Sequence, residues 1–139
     1  MFNNILLAVD GSPHAERAAA AAAEMARCNK SQLTVMVAYD PVPAYLGEPN
    51  LQAAITARMR EAEDIIAKAL SIIGDVGVPV KTTIVEGPPA EAILNVAEAR
   101  QVDLIVMGSR GLGRLAGLLL GSQSQKVVSH ATCPVLIVR

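Results

Sequence analysis

The sequence predicts an α/β protein built on one doubly wound parallel sheet of five strands, with helices on both faces. Short apolar segments alternate with longer segments of helical periodicity, in the order β-α-β-α-β-α-β-α-β. Most of the short segments are apolar throughout, which is typical of strands covered on both faces. Right-handed crossovers between such strands place helices on the two sides of the sheet.

The first strand is predicted over Ile5–Val9, and a helix follows from Pro13 to about Cys28. The turn between them makes Ser12 the candidate N-cap, because proline is favoured at the first helical position. An alanine run gives this helix a surface almost without side-chain bulk, so its backbone should lie close to the sheet. The second strand is predicted over Leu33–Ala38.

Turn-forming residues from Asp40 to Pro49 predict an irregular loop of about ten residues, which would serve as a lid or an interface. An amphipathic helix follows from Leu51, and Gly74 or Gly77 ends it.

The remaining elements alternate in the same way, and Pro134 separates the last helix from the last strand. They are a strand at Val80–Val85, a helix from Pro89 to about Arg100, a strand at Leu104–Met107, a helix at Ser122–His130 and a strand at Val135–Val138.

Composition excludes several classes of partner. The 139 residues suffice for one domain, and the net charge of −1 gives no electrostatic footprint for nucleic acid. One phenylalanine and two tyrosines leave little on which bases could stack. No apolar run approaches the roughly 20 residues of a membrane helix.

The cysteines and the start of the chain predict a cytoplasmic protein. The N-terminus lacks the features of a signal peptide. Cys28 and Cys133 show neither zinc-ligand nor disulfide-framework spacing, so both are expected to be reduced, with Cys28 buried as a small hydrophobe.

The glycine-bearing segment from Gly108 to Ser122 is the candidate ligand site. It connects the end of a strand to the start of a helix, where doubly wound folds bind ligands. Glycine allows positive φ or close approach of a ligand, and a helix N-terminus offers free N–H groups to an anion. The segment therefore predicts a phosphate site.

Two common phosphate motifs are absent from this segment. The residue after Gly121 is serine, not the lysine of a P-loop. Gly108, Gly111 and Gly113 read G-x-x-G-x-G, which is not the G-x-G-x-x-G of dinucleotide-binding folds.

Gly108, Gly111, Gly121 and Ser122 instead match the G-x2-G-x9-G-[ST] pattern of the nucleotide-binding universal stress proteins. The chain resembles this family along residues 1–139, including its opening ILLAVDGS, its DLIVMG segment and its closing CPVLIV. The resemblance implies a Rossmann-like domain with strand order 3-2-1-4-5 that binds ATP.

The resemblance also implies site residues. Ala8 and Asp10 should border adenine and ribose, and Ala38 should meet adenine through its backbone. Met107 and Gly108 begin the phosphate loop. Contacts to phosphates and ribose through amides and hydroxyls are implied for Gly111, Gly121, Ser122, Gln123 and Ser124. Relatives often carry a small aliphatic residue in place of Gln123, which leaves the role of its side chain open.

Structural alternatives stand beside these assignments. Ser122 and Gln125 form S-x-x-Q, a capping box that needs no ligand. Asp10 could hold the turn alone. Arg110 and Arg114 could reach phosphates or remain solvated.

Two further interpretations concern residues outside the glycine pattern. His14 and His130 show no partner that would make them catalytic. The Leu118–Leu120 run is expected in the core or at a dimer contact.

The implied protein binds ATP with Mg²⁺, and it uses the nucleotide for regulation and does not consume it. The metal would be held mainly by phosphates and water, with Asp10, Ser122 and Ser124 as the plausible protein ligands. A homodimer through Val135–Val138 is expected, because an apolar edge strand needs cover.

Two other functions remain open. One is a nucleotide α-hydrolase-type enzyme that releases AMP and pyrophosphate, although the motif such enzymes carry after the first strand is absent. The other is a nucleotide-free interaction dimer.

Overall fold

A computed structural model describes residues 1–111 and 119–139. The elements are β1 (Asn4–Ala8), α1 (Pro13–Asn29), β2 (Gln32–Tyr39), a short 3₁₀ helix (Ala44–Leu46), α2 (Asn50–Ile73), β3 (Val80–Glu86), α3 (Pro89–Ala99), β4 (Leu104–Gly108), α4 (Ser122–His130) and β5 (Val135–Val138). The predicted alternation of strands and helices is confirmed.

The five strands form one sheet in the order β3-β2-β1-β4-β5, and every pairing is parallel. The predicted fold class and strand order are therefore confirmed. At the centre, Ile5 of β1 pairs with Leu33 of β2 on one side and with Leu104 of β4 on the other. The chain leaves β1 toward one side and later returns to the other, so a crevice opens where the C-terminal ends of β1 and β4 meet.

The sheet has an apolar core on each face. Ile5, Leu7 and Val9 point to the layer formed by α1 and α2, whereas Leu6 and Ala8 point to the layer formed by α3 and α4. This double burial explains why β1 is a continuous apolar run, since both of its faces leave water. At about 25 cal/mol per Å², burial of such side chains is the main stabilising contribution.

The start of α1 forms as the sequence predicts. Ser12 is the N-cap, and its hydroxyl accepts a hydrogen bond from the amide of Ala15 at 3.2 Å. Pro13 occupies the first helical position. The alanine stripe of α1 is fully buried at Ala18 and Ala22, so the helix backbone lies close to the sheet.

One prediction of burial is wrong. Cys28 is exposed, because it lies on the side of α1 opposite its buried alanine stripe. The Leu118–Leu120 run was expected in the core or at a dimer contact: Leu119 is 75% exposed and therefore not part of the core, the dimer contact stays a prediction, and Leu118 lies outside the described residues. Across residues 1–111 and 119–139, no helix is both long and apolar enough to cross a membrane.

Candidate functional site

A cavity of about 480 Å³ lies at the crevice between the C-terminal ends of β1 and β4. This volume falls within the range of pockets that hold small ligands. Every site residue assigned from the sequence lines it. They are Ala8, Asp10, Ala38, Met107, Gly108, Gly111, Gly121, Ser122, Gln123 and Ser124. The topology therefore brings together residues that are more than a hundred positions apart in the chain.

The N-terminus of α4 opens into this cavity. Gly121 is the N-cap, and no side chain in the described part of the chain caps the first turn. The first amides of a helix have no partner within the helix, so those of Ser122, Gln123 and Ser124 are available to an acceptor in the cavity. An anion would also be favoured there by the helix dipole.

The capping box that the sequence allowed at the start of α4 does not form. Ser122 is the first helical residue, not the N-cap, and its side chain is exposed. Gln125 turns away, because its Nε2 donates to the carbonyl of Leu120 at 3.0 Å. The Ser122 side chain therefore does not form the capping box that was the alternative to ligand binding.

Asp10 joins the turn after β1 to the glycine loop after β4. Its Oδ1 accepts a hydrogen bond from the amide of Ser12 at 2.9 Å, so it does hold the turn. Its Oδ2 lies only 2.5 Å from the position that a Cβ on Gly111 would occupy. One oxygen therefore serves the turn, while the other faces the loop.

Two glycines of the loop, Gly108 and Gly111, are required for close approach rather than for unusual backbone angles. Gly108, Gly111 and Gly121 are not among the residues with positive φ. A Cβ on Gly108 would lie 2.8 Å from Cβ and 2.9 Å from the carbonyl carbon of His14. Glycine at 108 thus lets α1 pack on β4, which is a structural reason independent of any ligand.

The side chains of Gln123 and Ser124 make contacts within the protein. The Ser124 hydroxyl is buried and donates to the carbonyl of Gly108 at 2.9 Å. The Gln123 Oε1 accepts from the amide of Ala90 at 3.0 Å, in the first turn of α3. Their backbone amides remain the groups that α4 directs toward the cavity.

Sequence reasoning missed several residues that line the cavity. They come from the end of β2, the loop after it, α2 and the start of α3, and include Tyr39, Asp40, Arg58, Glu61, Ile65, Pro89 and Ile93. The helical periodicity of α2 assigned Arg58 and Glu61 to a charged face, but periodicity does not tell what that face meets. Arg110 also lines the cavity, whereas Arg114 lies outside the described residues.

A hydrogen bond between two side chains beside the cavity was also not predicted by any sequence pattern. The Ser109 hydroxyl lies 2.9 Å from Nδ1 of His14. Ser109 also donates its amide to the carbonyl of Val138 and accepts from the amide of Gly121, each at 2.7 Å. This buried residue therefore connects α1, the terminal strand and the N-cap of α4.

A doubly wound parallel sheet with a ligand-sized cavity at its switch point, lined by Gly108, Gly111, Gly121 and the first turn of α4, defines a Rossmann-like α/β protein. The sequence model of the universal stress protein family matches residues 1–139. The chain belongs to the universal stress protein family.

Individual relatives agree with this membership. A universal stress protein of Thermus aquaticus is 52% identical, with both chains covered completely. The structure of universal stress protein UspA from Lactobacillus plantarum aligns with a TM-score of 0.89 at 29% identity, covering 99% of this chain and 98% of that one. A universal stress protein solved in complex with cAMP aligns with a TM-score of 0.77 at 27% identity, covering 99% and 97%.

Proposed function

We propose that the chain binds ATP in the cavity between β1 and β4, and that the nucleotide regulates the protein and is not consumed. The observation that carries this proposal is the uncapped first turn of α4, which directs free amides into a ligand-sized cavity. A triphosphate suits such a turn because its oxygens accept from amides and complement the helix dipole.

The lining of the cavity includes both apolar and polar groups, which suit the two parts of a nucleotide. Apolar side chains of Ala8, Met36 and Ile93 line it, and an adenine ring would pack among such groups. Polar groups of the lining come from Asp10, Gly111 and the start of α4. The relative solved with cAMP supports an adenine nucleotide as the class of ligand.

Magnesium would accompany the nucleotide. No cluster of three or more His, Cys, Asp or Glu side chains within the described residues is arranged to hold a metal. The Oδ2 of Asp10, which no described residue hydrogen-bonds, and the exposed Ser122 hydroxyl could supplement phosphate and water oxygens, which are the ligands Mg²⁺ prefers. The Ser124 hydroxyl is less suited, because this residue is only 3% exposed.

A regulatory role is favoured over turnover. Ser12, in the loop where the related α-hydrolase enzymes bind pyrophosphate, is 1% exposed and caps α1. His14 faces Ser109, and neither residue lines the cavity. We expect ATP turnover below about 1 per second, the low end for ordinary enzymes.

We also propose a cytoplasmic homodimer that pairs through β5. This strand is at the edge of the sheet, and all of its residues are half-buried. An exposed apolar edge favours pairing with a second copy. Both cysteines are free, which suits a reducing compartment.

The direct test of ATP binding is isothermal titration of the full chain with ATP in excess Mg²⁺. Saturable heat at a 1:1 ratio is expected, and adding ATP should raise the melting temperature. No heat at millimolar ATP, together with an unchanged melting temperature, would exclude the proposal. Saturable binding with sustained phosphate release would instead favour the hydrolase alternative.

A further inference from the structure

The side chain of Gln123 carries two polar groups, and its hydrogen bond with the Ala90 amide uses only one of them. The amide of Ala90 is a hydrogen-bond donor, so the atom of Gln123 that meets it must be the oxygen Oε1. This contact determines which way the carboxamide faces. The amino group Nε2 is not used by this contact, and no described residue accepts a hydrogen bond from it.

The orientation of the carboxamide is fixed from both ends. Its backbone belongs to the first turn of α4, while its oxygen is bound to the first turn of α3. The side chain thus bridges two helices that both border the cavity, and Gln123 itself lines the cavity. A donor held in this way needs no further ordering when a ligand binds, which reduces the entropic cost of the contact.

The position of the bridge indicates which part of a ligand it would meet. Next to Ala90, the α3 residues Pro89 and Ile93 contribute apolar lining to the cavity. Asp10, Gly111 and the first amides of α4 offer polar groups that suit phosphates. The Gln123 backbone belongs to that polar set, whereas its carboxamide reaches across to α3, where Pro89 and Ile93 give the cavity an apolar lining that suits the nucleoside of a nucleotide.

We propose that Gln123 is a specificity-determining residue whose Nε2 donates a hydrogen bond to an acceptor on the nucleoside, either a ring nitrogen or a sugar oxygen. This inference rests on the proposed nucleotide site and adds a role for a side chain within it. The bond to Ala90 positions the group, and the bond from Nε2 recognises the ligand.

Two substitutions separate the positioning contact from the recognition contact. Gln123→Glu retains an oxygen for the Ala90 amide but removes the Nε2 donor. Gln123→Leu removes both groups at similar size. Gln125→Glu is the matched control, because it adds the same charge to the first turns of α4 on an exposed residue that does not line the cavity.

The experiment measures affinity for adenosine and for Mg-ATP, and the melting temperature without ligand. Adenosine carries no phosphate, so added negative charge cannot weaken its binding by repulsion. We expect Gln123→Glu to keep the parent melting temperature and to bind adenosine about threefold to tenfold more weakly, as for one lost hydrogen bond. Gln123→Leu should lose affinity similarly and also melt a few degrees lower.

Each outcome decides the inference. If Gln123→Glu binds adenosine as the parent and Gln125→Glu do, the carboxamide only holds α3 and the inference is wrong. A loss seen with ATP but not adenosine would equally overturn the assignment to the nucleoside. If the parent itself binds neither compound, the proposed function fails first, so the two failures are distinguishable.

Discussion

The Oδ2 atom of Asp10 lies 2.5 Å from the position where a Cβ on Gly111 would be built. The two residues follow β1 and β4, which are neighbours at the centre of the sheet. The close approach explains why the G-x2-G-x9-G pattern needs glycine at its second position. It also ties the turn that begins α1 to the loop that leads toward α4.

We predict that Gly111→Ala lowers ATP affinity by about tenfold, or about 1.4 kcal/mol. The added methyl must displace the Asp10 carboxylate, since real Cβ atoms do not approach this closely. The displaced atom is the end of a side chain, so the protein should still fold. Titration calorimetry measures the affinity, and a thermal melt checks the fold.

A double-mutant cycle tests whether Asp10 causes this loss. In an Asp10→Ala background no carboxylate remains to be displaced, so adding Gly111→Ala should have little further effect. Independent, additive losses would mean that Gly111 matters for the ligand alone, contrary to this explanation.

Gly108→Ala should behave differently although it adds the same methyl group. Its Cβ would meet the backbone of His14 and the amide of Ala15, at 2.9 and 3.0 Å. Backbone atoms of α1 cannot move aside without shifting the helix, and such overpacking costs about 1 to 3 kcal/mol. We expect a drop of several degrees in the melting temperature of the ligand-free protein. A melting temperature equal to that of the parent would contradict the predicted packing of α1 on β4.

The two glycines also illustrate what the sequence could and could not predict. Their spacing predicts a binding loop, but it suggests the same role for both glycines. Only the sheet order decides that Gly108 faces a helix while Gly111 faces a carboxylate. Those neighbours are distant in sequence, and a linear pattern carries no information about their separation in space.

The fold was more predictable than the site because it depends on local patterns. Apolar runs, the Ser12 cap and the alanine stripe of α1 each act within a few residues, and all formed as expected. The bridge from Gln123 to Ala90 joins two helices across the cavity, so no local pattern could indicate it. The general preference of cysteine for buried positions predicts Cys28 in the core, but Cys28 lies on the exposed side of α1.

We predict that Ser122→Ala leaves the ligand-free melting temperature unchanged but weakens ATP binding by more than about tenfold. Gly121 and not Ser122 is the N-cap of α4, and a hydrogen bond to a charged oxygen contributes about 1.5 to 3 kcal/mol. Ser12→Ala is the matched comparison, because that hydroxyl does cap a helix. It should cost about 1 kcal/mol of stability. A lower melting temperature for Ser122→Ala with unchanged affinity would restore the capping interpretation.

The two cysteines should differ in their reaction with a thiol reagent such as iodoacetamide. Burial raises the pKa of the Cys133 thiol, and the Asp103 carboxylate shifts this pKa in the same direction. A raised pKa leaves less thiolate at a given pH, and the thiolate is the reactive form. Cys28 is exposed and should be modified first.

Mass spectrometry after timed labelling measures this order, and Cys28→Ser should leave only the slow modification. Raising the pH should narrow the difference, because more of the Cys133 thiol ionises. Faster modification of Cys133 in the parent would contradict the burial of its side chain.

Finally, we predict a homodimer that Ile137→Lys shifts toward monomer. Among the described strands β5 pairs only with β4, so its other edge could pair with a second copy of the chain. Lysine on an edge strand opposes pairing by placing charge at the seam. Val128→Lys provides the control, because Val128 is a 47% exposed apolar residue on α4 rather than on the edge strand.

Light scattering should give twice the mass of one chain for the parent and for Val128→Lys, and a lower mass for Ile137→Lys. Ile137 also packs on the core, so circular dichroism must show that the variant remains folded. A parent of single-chain mass at micromolar concentration rules out the dimer whatever the variants do. If both lysine variants dissociate equally, a charge on α4 is as disruptive as one on the terminal strand. The dimer interface is then not specific to β5.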